Sequence, residues 1–463
     1  MQILVENLGP VKSATIDLSK KLNVFCGGNS TGKTYMAYVL YAIASRQNKS
    51  LGIQLDEQSV ENILKDNKAR IALDLDAISQ FREEEFSKIL PNLWKLFAIS
   101  ETKSEDFFAK TKLQILESNS DFIQRIKQAR FEEAIRLHKY WFKVKKDDDN
   151  SLIVEVEHKT IKNEEFAHFL NIAFLPILYA RLFYFPISSS AIFPVERNSI
   201  FTFNKELSIK NNQRYELIKQ LSSDKKFDPF DIFFSSSDRY PQAIKDCLAI
   251  ADDLEQFKKI KSSFYDFAEE IEKELLGGAV VVGKEGSVEF ASTSLSKKKA
   301  LSFHQSSSIV KTLASLVMYL KHMAQPNDLV IIDEPELNLH PDNQIKLARI
   351  FARLLNNGLR LVISTHSDYI LRELNNLIML GSKSDELNDI KKQYHFKEDE
   401  YILVDEVDVH YFHYKLKTQA SVKKLKISDY GFDVPSIDEA IEKQNQLTDD
   451  LYYTMKFGKQ KNE

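Results

Sequence analysis

The stretch Gly27-Gly-Asn-Ser-Thr-Gly-Lys-Thr34 decides the fold class of this chain. It matches the pattern G-x-x-x-x-G-K-[ST], in which glycines let consecutive backbone N–H groups converge on phosphate oxygens. The apolar residues 22–26 ahead of it predict a buried strand, and the residues after it carry a helical stripe of apolar side chains. A helix that begins at such a loop adds its partial positive charge at the same point. A chance match in a turn is the alternative, and the strand and helix on either side count against it.

The loop residues have expected roles in holding a nucleoside triphosphate and Mg²⁺. Lys33 is expected to reach the β- and γ-phosphates, and the Thr34 hydroxyl is an expected ligand of Mg²⁺. The residues expected to bind the nucleotide are Gly27, Asn29, Ser30, Thr31, Gly32, Lys33 and Thr34.

Two acids follow a second apolar strand further along the chain. Residues 329–332 are Leu-Val-Ile-Ile, and Asp333 and Glu334 come directly after them. A carboxylate at the end of a buried strand is costly unless its charge is used, and Mg²⁺ at a phosphate loop would use it. We therefore expect Asp333 to hold Mg²⁺ and Glu334 to polarise an attacking water. The same residues alone would fit a solvated strand end equally well, so the catalytic interpretation depends on the loop upstream.

A histidine follows a third apolar strand, at residues 361–365. Standing alone, His366 would more often be a satisfied core residue. If this strand lies beside the one that ends at Asp333, both tips lie at the carboxyl edge of a parallel sheet, where ligands bind. His366 would then contact the γ-phosphate or the attacking water, so we expect a catalytic role.

Three serines, Ser306, Ser307 and Ser308, precede a predicted helix. Serine is a good helix N-cap, and hydroxyls at a helix N-terminus also bind phosphate. From the residues alone, both interpretations stay open.

Composition excludes several classes of protein. The 463 residues hold 63 Lys and Arg against 67 Asp and Glu, and a net charge of −4 argues against a polycation that coats nucleic acid. Cys26 and Cys247 are too few for a disulfide framework or a cysteine-built zinc site. The chain starts without a basic leader, and its most apolar window, 169–187, contains polar residues and prolines. We therefore expect a cytoplasmic protein without a membrane span.

The order of predicted elements indicates an α/β fold. Residues 2–26 predict three short strands, and the final third alternates helix and strand, which is typical of a largely parallel sheet covered by helices. Residues 141–156 predict a hairpin inside an otherwise helical stretch, and residues 253–276 predict one clear helix that ends at Gly277.

Together these motifs resemble an ABC-type ATPase head of the structural-maintenance-of-chromosomes (SMC) branch. The order is that of the family: a Walker A loop, a signature-like serine motif, a Walker B strand and a switch histidine. The run Glu334-Pro-Glu-Leu-Asn-Leu-His-Pro341 is similar to the E-P-E-x-x-L-H-P run of overcoming-lysogenization-defect (OLD) ATPases, and Ser364-Thr-His-Ser367 matches their S-T-H-S switch. The resemblance implies a P-loop NTPase head with a mixed sheet, flanking helices and ATP with Mg²⁺ as its ligands.

The resemblance also implies a site shared between two chains. In that family two heads dimerise around two ATP molecules, and the signature of one head caps the γ-phosphate held by the other, so Ser307 and Ser308 would act in trans. A serine stands here where the family usually has glycine, which leaves the choice between the two serines open. The stretch 193–199 loosely resembles a P-x-E-R-S run of such ATPases and makes Arg197 a candidate near the nucleotide, with a surface or structural ion pair as the alternative.

The resemblance divides the chain into a discontinuous head and an insertion. Residues 1–50 and 181–463 form the head, which includes a helical segment at about 205–276. Residues 51–180 are expected to form a mainly helical insertion or lid. Their apolar spacing breaks too often for an SMC-like coiled-coil arm.

Short ATPases of this build resemble those of bacterial anti-phage systems, such as the PtuA ATPases of Septu systems, the AriA ATPases of PARIS systems and retron-linked ATPases. That resemblance implies a homodimer of heads, or a higher oligomer built from dimers, that controls a separate effector protein such as a nuclease or toxin. The chain after His366 is short for a nuclease domain, and its tightest acidic cluster, at 405–408, is expected to be a solvated strand end.

Two other functions remain open. A DNA-repair ATPase of the RecF or SMC kind would clamp nucleic acid with a basic stripe, to which Lys20-Lys21, Lys225-Lys226 and Lys297-Lys-Lys299 would contribute; short lysine runs are more commonly solvated turns. A nucleotide switch that barely hydrolyses ATP would fit the serine in place of the signature glycine.

Overall fold

The computed structural model describes residues 1–45, 55–137, 140–157, 164–202, 240–283, 287–293, 300–382, 384, 386–416 and 419–457. The part of the predicted helical segment between 205 and 239 therefore lies outside the described residues. The same holds for Lys225-Lys226 and Lys297-Lys-Lys299.

The strands are β1 (Gln2–Leu8), β2 (Val11–Asp17), β3 (Leu22–Gly27), β4 (Lys68–Ala72), β5 (Lys112–Ile115), β6 (Phe131–Leu137), β7 (Tyr140–Lys146), β8 (Ser151–Val156), β9 (Ser190–Phe193), β10 (Gly278–Val282), β11 (Val288–Ser292), β12 (Leu301–Ser302), β13 (Leu329–Asp333), β14 (Arg360–Thr365), β15 (Val407–Leu416) and β16 (Gln419–Lys424). The α-helices are α1 (Lys33–Ala44), α2 (Glu57–Asp66), α3 (Leu75–Ser87), α4 (Leu93–Phe97), α5 (Glu101–Phe108), α6 (Asn119–Gln128), α7 (Glu164–Phe169), α8 (Leu175–Phe183), α9 (Gln242–Phe257), α10 (Tyr265–Ile271), α11 (Ser308–His322), α12 (Pro341–Asn356), α13 (Asp368–Leu380), α14 (Leu387–Gln393) and α15 (Pro435–Phe457).

A nine-stranded mixed sheet, in the order β5-β1-β2-β16-β15-β3-β14-β13-β9, forms the centre of the molecule. β3 pairs in parallel with β14 and β15, and β13 pairs in parallel with β14 and β9. β1 pairs with β2 and β5 in antiparallel fashion, and so does β15 with β16. The arrangement confirms the predicted α/β class of a P-loop ATPase head. β3, β13 and β14 are buried at every residue, as expected of parallel strands covered on both faces.

Helices cover both faces of this sheet, because successive side chains of a strand point to opposite sides. Phe25 on β3 packs in one core with α1 and α4, whereas its neighbours Val24 and Cys26 pack in the other core with α11, α12 and α13. None of the helices in the described ranges combines the length and the apolar character that a membrane span requires.

The segment predicted to be an insertion contains a second sheet that the sequence analysis missed in part. Four antiparallel strands in the order β4-β8-β7-β6 pack against α2, α3, α6 and α8 around a separate core. β7 and β8 are the predicted hairpin, and helices make up most of the remaining regular structure. β4 and β6 were expected to be helical, and that expectation is wrong. β4 has only five residues, of which Ala69 and Ile71 are buried, and β6 places Glu132 and Glu133 side by side, so neither run gives a clear strand pattern.

The middle of the inserted segment belongs to the packing of the head. β5 adds to the edge of the central sheet by pairing with β1. Phe97 at the end of α4 stacks on Tyr35 of α1, with ring centroids 4.7 Å apart, and Leu93 and Leu96 lie in the core that contains α1. Described residues within 51–180 therefore contribute to the core around α1 as well as to a core of their own.

Two further predictions need correction. The helix expected at 253–276 is broken, since α9 ends at Phe257 and α10 begins at Tyr265. Ser262 between them bonds to the end of α11, where its N–H donates to the Lys321 carbonyl at 2.9 Å. The acidic cluster at 405–408, expected at the end of a strand, lies instead at the start of one, because β15 begins at Val407. The predicted stop at Gly277 is present, with a left-handed φ of 64°.

We predict that Gly27→Ala destabilises the protein more than Gly277→Ala does. A Cβ at Gly27 would lie 2.0 Å from the Phe412 carbonyl oxygen on β15, so the strands would have to move apart. Gly277 is the matched control, because it also has positive φ but has no described atom within 4 Å of an added Cβ. We expect the control to cost about 1–2 kcal/mol and Gly27→Ala to lower the calorimetric melting temperature clearly further. Equal melting temperatures of the two variants would contradict the close packing of β3 on β15.

Candidate nucleotide site

The phosphate loop leaves β3 and enters α1 in a shape that its neighbours hold. Gly32 has a φ of 97°, which glycine adopts without strain, and a Cβ there would lie 2.5 Å from Val11 Cγ2. Ser30 has a φ of 61°, and its carbonyl accepts a hydrogen bond of 2.7 Å from the Tyr414 hydroxyl. The start of β2 and Tyr414 near the end of β15 therefore shape the loop.

The loop lysine is buried and faces its own loop. Lys33 Nζ donates to the carbonyl oxygens of Gly27 at 3.0 Å and Gly28 at 2.8 Å. Burial lowers the pKa of Lys33, and Asp333 and Glu334 oppose that shift. The ammonium group therefore contacts the loop carbonyls and is close enough to Asp333 and Glu334 to interact with their charges.

Asp333, at the end of β13, connects the loop to the neighbouring strand. Its Oδ2 accepts a hydrogen bond of 2.8 Å from Thr34 Oγ1, and its Oδ1 accepts one from Ser364 Oγ. The parallel register of β13 and β14 places Asp333 directly opposite Ser364. The carboxylate is only 1% exposed, so these hydroxyls replace the water it has lost. Sequence reasoning missed Ser364, although the S-T-H-S match pointed to it.

The oxygen atoms of Thr34 and Asp333 fit Mg²⁺, which prefers hard oxygen ligands. Neighbouring ligands of an octahedral Mg²⁺ lie about 3 Å apart, given metal–oxygen distances of about 2.1 Å, and these two oxygens are 2.8 Å apart. Among the described residues, no group of three or more His, Cys, Asp or Glu side chains could hold a metal by itself. An ion at this point therefore needs further oxygens from phosphate or water.

Glu334 and His366 face each other at the carboxyl edge of the sheet. His366 Nε2 lies 3.4 Å from Glu334 Oε1. Glu334 has a left-handed φ of 48°, and its N–H donates to the Ser364 carbonyl at 3.0 Å. Burial lowers the pKa of His366, and the positive charge of Lys33 lowers it further. The ring is therefore mainly neutral at neutral pH.

Arg197 is a backbone clamp and does not form the surface ion pair considered as its alternative. The side chain is 2% exposed, and its guanidinium donates to the carbonyls of Asp333 at 2.6 Å and Glu334 at 2.7 Å. It also donates to the carbonyls of Pro194 and Thr312. Burial lowers the pKa of Arg197 to about 10, which leaves it charged at neutral pH. Arg197 thus fixes the backbone at Asp333, the expected Mg²⁺ ligand, and at Glu334, an expected catalytic residue.

Glu336 is a site residue to which the sequence analysis gave no role. Its Oε1 accepts hydrogen bonds from Thr365 Oγ1 at 2.8 Å and from the His366 N–H at 2.6 Å. Its Oε2 is buried without a hydrogen-bond partner among the described residues, and burial raises the pKa of this carboxyl group. Glu336 therefore holds the chain that carries His366. The second acid of the E-P-E run was the available signal.

The three serines lie at the start of α11. Ser306 is buried and donates to the Phe303 carbonyl at 2.6 Å, whereas Ser307 and Ser308 are exposed. Ser307 occupies the N-cap position without a side-chain capping bond. Between described residues, no hydrogen bond joins Ser307 or Ser308 to the phosphate loop of the same chain.

The lysine pair and acidic cluster named earlier contact each other. Lys20 Nζ donates to the Asp405 carbonyl at 2.5 Å, and Lys21 pairs with Glu406 at 2.6 Å. Asp408 pairs with Lys424 at 2.5 Å and is buried. The expectation that this acidic cluster is simply solvated is therefore wrong for Asp408, because β15 carries it inward beside β16.

Comparison with known proteins identifies a family. A family described as "AAA ATPase domain" matches residues 1–371. No curated protein matches the chain.

Several solved SMC head structures are similar over most of their length. An SMC head bound to the C-terminal winged-helix domain of ScpA has 12% identity and a TM-score of 0.37, and the alignment covers 92% of this chain and 98% of that one. The SMC head domain from Thermotoga maritima has 6% identity and a TM-score of 0.32, with the same coverage. At these TM-scores the family match and the sheet topology, not the solved structures, carry the assignment.

We predict that Lys33→Met raises the pKa of His366. The burial of the ring stays, but a nearby positive charge that disfavours imidazolium is removed. The measurement is a histidine NMR titration, with the His366 signal assigned from its loss in His366→Gln. Lys443→Met, on the distant exposed α15, is the control and should leave the titration unchanged. A His366 titration that is identical in wild type and Lys33→Met would show that the two groups do not interact.

Proposed function

The chain belongs to the AAA ATPase domain family, and we propose that it hydrolyses ATP to ADP and phosphate at the site formed by loop 27–34, Asp333, Glu334 and His366. The observation that carries this proposal is the bridge from Thr34 through Asp333 to Ser364. This bridge joins loop 27–34 to the ends of β13 and β14, beside Glu334 and His366, and so supports a common site at this edge of the sheet.

The proposed reaction assigns a separate task to each side chain. The loop N–H groups and Lys33 bind the β- and γ-phosphates. Glu334 accepts a proton from water as the water oxygen attacks the γ-phosphorus, and the bond to the β–γ bridging oxygen breaks. Neutral His366, held by Glu336, contacts the γ-phosphate or the attacking water. Mg²⁺, held by Thr34 and Asp333, neutralises phosphate charge when bound.

We further propose that two heads enclose ATP between them. Ser307 and Ser308 are exposed at the N-terminus of a 15-residue helix, where hydroxyls and free N–H groups suit a phosphate from another chain. The serine that replaces the signature glycine supports slow, regulated hydrolysis.

We predict that Glu334→Gln and Lys33→Ala separate turnover from binding. Glu334→Gln keeps the phosphate contacts and Asp333, so ATP affinity should stay within a few-fold while phosphate release falls by about 100-fold or more, as for loss of a general base. Lys33→Ala should weaken ATP binding itself. Turnover would be measured by phosphate release and affinity by calorimetry. Unchanged turnover in Glu334→Gln would remove its assigned role and favour the nucleotide-switch function.

We propose that this ATPase acts in the cytoplasm as a sensor or scaffold that controls a separate effector protein, a nuclease or toxin, in anti-phage defence. The support is the motif resemblance, including the E-P-E and S-T-H-S runs. DNA clamping by a RecF- or SMC-like ATPase is the competing function. Of the basic pairs that would serve it, Lys20 and Lys21 are engaged with the 405–408 segment.

A pull-down of tagged Glu334→Gln from the native host with ATP would test the effector proposal. This variant is expected to hold ATP, so its assembly should persist, and Lys33→Ala is the matched control that should lose it. We expect a small nuclease-like or toxin-like protein in fixed ratio, identified by mass spectrometry. The DNA-clamping function would instead be favoured if no such partner is recovered and the protein brings down repair proteins together with nucleic acid whose binding weakens as salt is raised.

A further inference from the structure

The last helix, α15, presents large apolar side chains to solvent. The exposed fractions are 52% for Leu447, 56% for Leu451 and 79% for Met455. The helix has 23 residues and is therefore about 35 Å long. Helices in water owe most of their stability to the packing of an apolar face. This helix therefore needs an apolar surface against that face.

The start of α15 is fixed to the head. The Asn375 side chain on α13 donates to the Phe432 carbonyl at 2.8 Å and accepts from the Phe432 N–H at 3.0 Å. Phe432 and Val434 are buried in the head core. The helix is therefore a defined projection from the head.

One face of α15 carries a heptad pattern. Ile441, Gln444, Thr448, Leu451 and Met455 follow each other at alternating steps of three and four residues. Such spacing keeps all five side chains on one stripe, which is the seam of a two-stranded coiled coil. Leu447 lies beside this stripe. Gln446, one residue earlier, lies on the opposite side of the helix.

We propose that this face pairs in antiparallel orientation with the same face of a second copy of the chain. The stripe is self-complementary in one register, in which Ile441 meets Leu451 of the partner subunit and Gln444 meets Thr448 of the partner subunit. The two-fold axis crosses the pair midway between Gln444 and Thr448 along the helix, on the side of the stripe, so the two copies of Leu447 meet beside it. The interface is isologous, as a two-fold axis requires.

The polar pair selects this register. A shift by one heptad would place Thr448 against Leu451 and Gln444 against Met455, which buries polar groups without partners. A buried polar layer of this kind specifies register in coiled coils at a cost in stability.

Opposed helix dipoles favour the antiparallel direction. This direction also separates the two heads, because they are then attached at opposite ends of a pair about 35 Å long. This contact is separate from the ATP-dependent head dimer and would join such dimers into a larger assembly.

Cross-linking of single cysteines tests the proposal directly. The native Cys26 and Cys247 are buried, so a short bismaleimide should react mainly with an introduced thiol. Leu447→Cys should give a covalent dimer without nucleotide, and Gln446→Cys, on the opposite side, should not. Ile441→Cys mixed with Leu451→Cys should cross-link, whereas each alone should not. Cross-linking of Ile441→Cys or Leu451→Cys alone would mean parallel pairing and would overturn the proposal.

Mass measurement by light scattering distinguishes this contact from the ATP-dependent one. In the Lys33→Ala background, which should lose ATP binding, the dimer should persist, and Leu451→Asp should convert it to monomer. Lys443→Asp, away from the stripe, is the control. A wild-type monomer without nucleotide would overturn the proposal. So would a Leu451→Asp variant that melts at a lower temperature without any change of mass, because the face would then be covered within one chain. Failure of ATP hydrolysis would leave all these outcomes unaffected.

Discussion

The hydrogen bonds to the Asp333 carboxylate are the interaction on which the rest of the site depends. A carboxylate that is 1% exposed is stable only if hydrogen bonds or positive charge replace its water. Thr34 supplies one hydroxyl from the start of α1, and Ser364 supplies the other from the adjacent strand. Thr34 lies about 300 positions from Asp333 in the sequence, and Ser364 lies about 30 positions from it. They fix the phosphate loop to the edge of the sheet, and the positions of Glu334 and His366 follow from the two strand ends.

Much of this site could be predicted because its parts are local motifs. A few consecutive residues are enough to recognise the loop, the strand that ends at Asp333 and the strand before His366. Parallel pairing of the strands then brings their ends together. Arg197 and Glu336 were harder to place because their roles lie in contacts with distant backbone. The Arg197 guanidinium, for example, donates a hydrogen bond to the carbonyl of Thr312, which is 115 residues away in the sequence. No local spacing encodes such a contact.

The inserted segment shows the same limit at the level of the fold. Lys112–Ile115 contains four residues, too few for a periodicity signal, yet it completes the edge of the central sheet. No local sequence pattern predicts the stack of Phe97 on Tyr35 either. This stack places the inserted segment in contact with α1, the helix that carries Lys33 and Thr34. The segment predicted to be an insertion is thus part of the packing that holds α1.

The Arg197 clamp has a consequence for how a pair of heads would use ATP. One guanidinium holds the backbone of α11, whose first turn carries Ser307 and Ser308, and the backbone at Asp333 and Glu334. A buried, hydrogen-bonded group of this kind couples these two ends of the head to each other. If each end served a different ATP in the proposed dimer, ordering one site would also order the other. Occupancy of the two sites would then rise together, as positive cooperativity with a coupling free energy shared equally by both ligands.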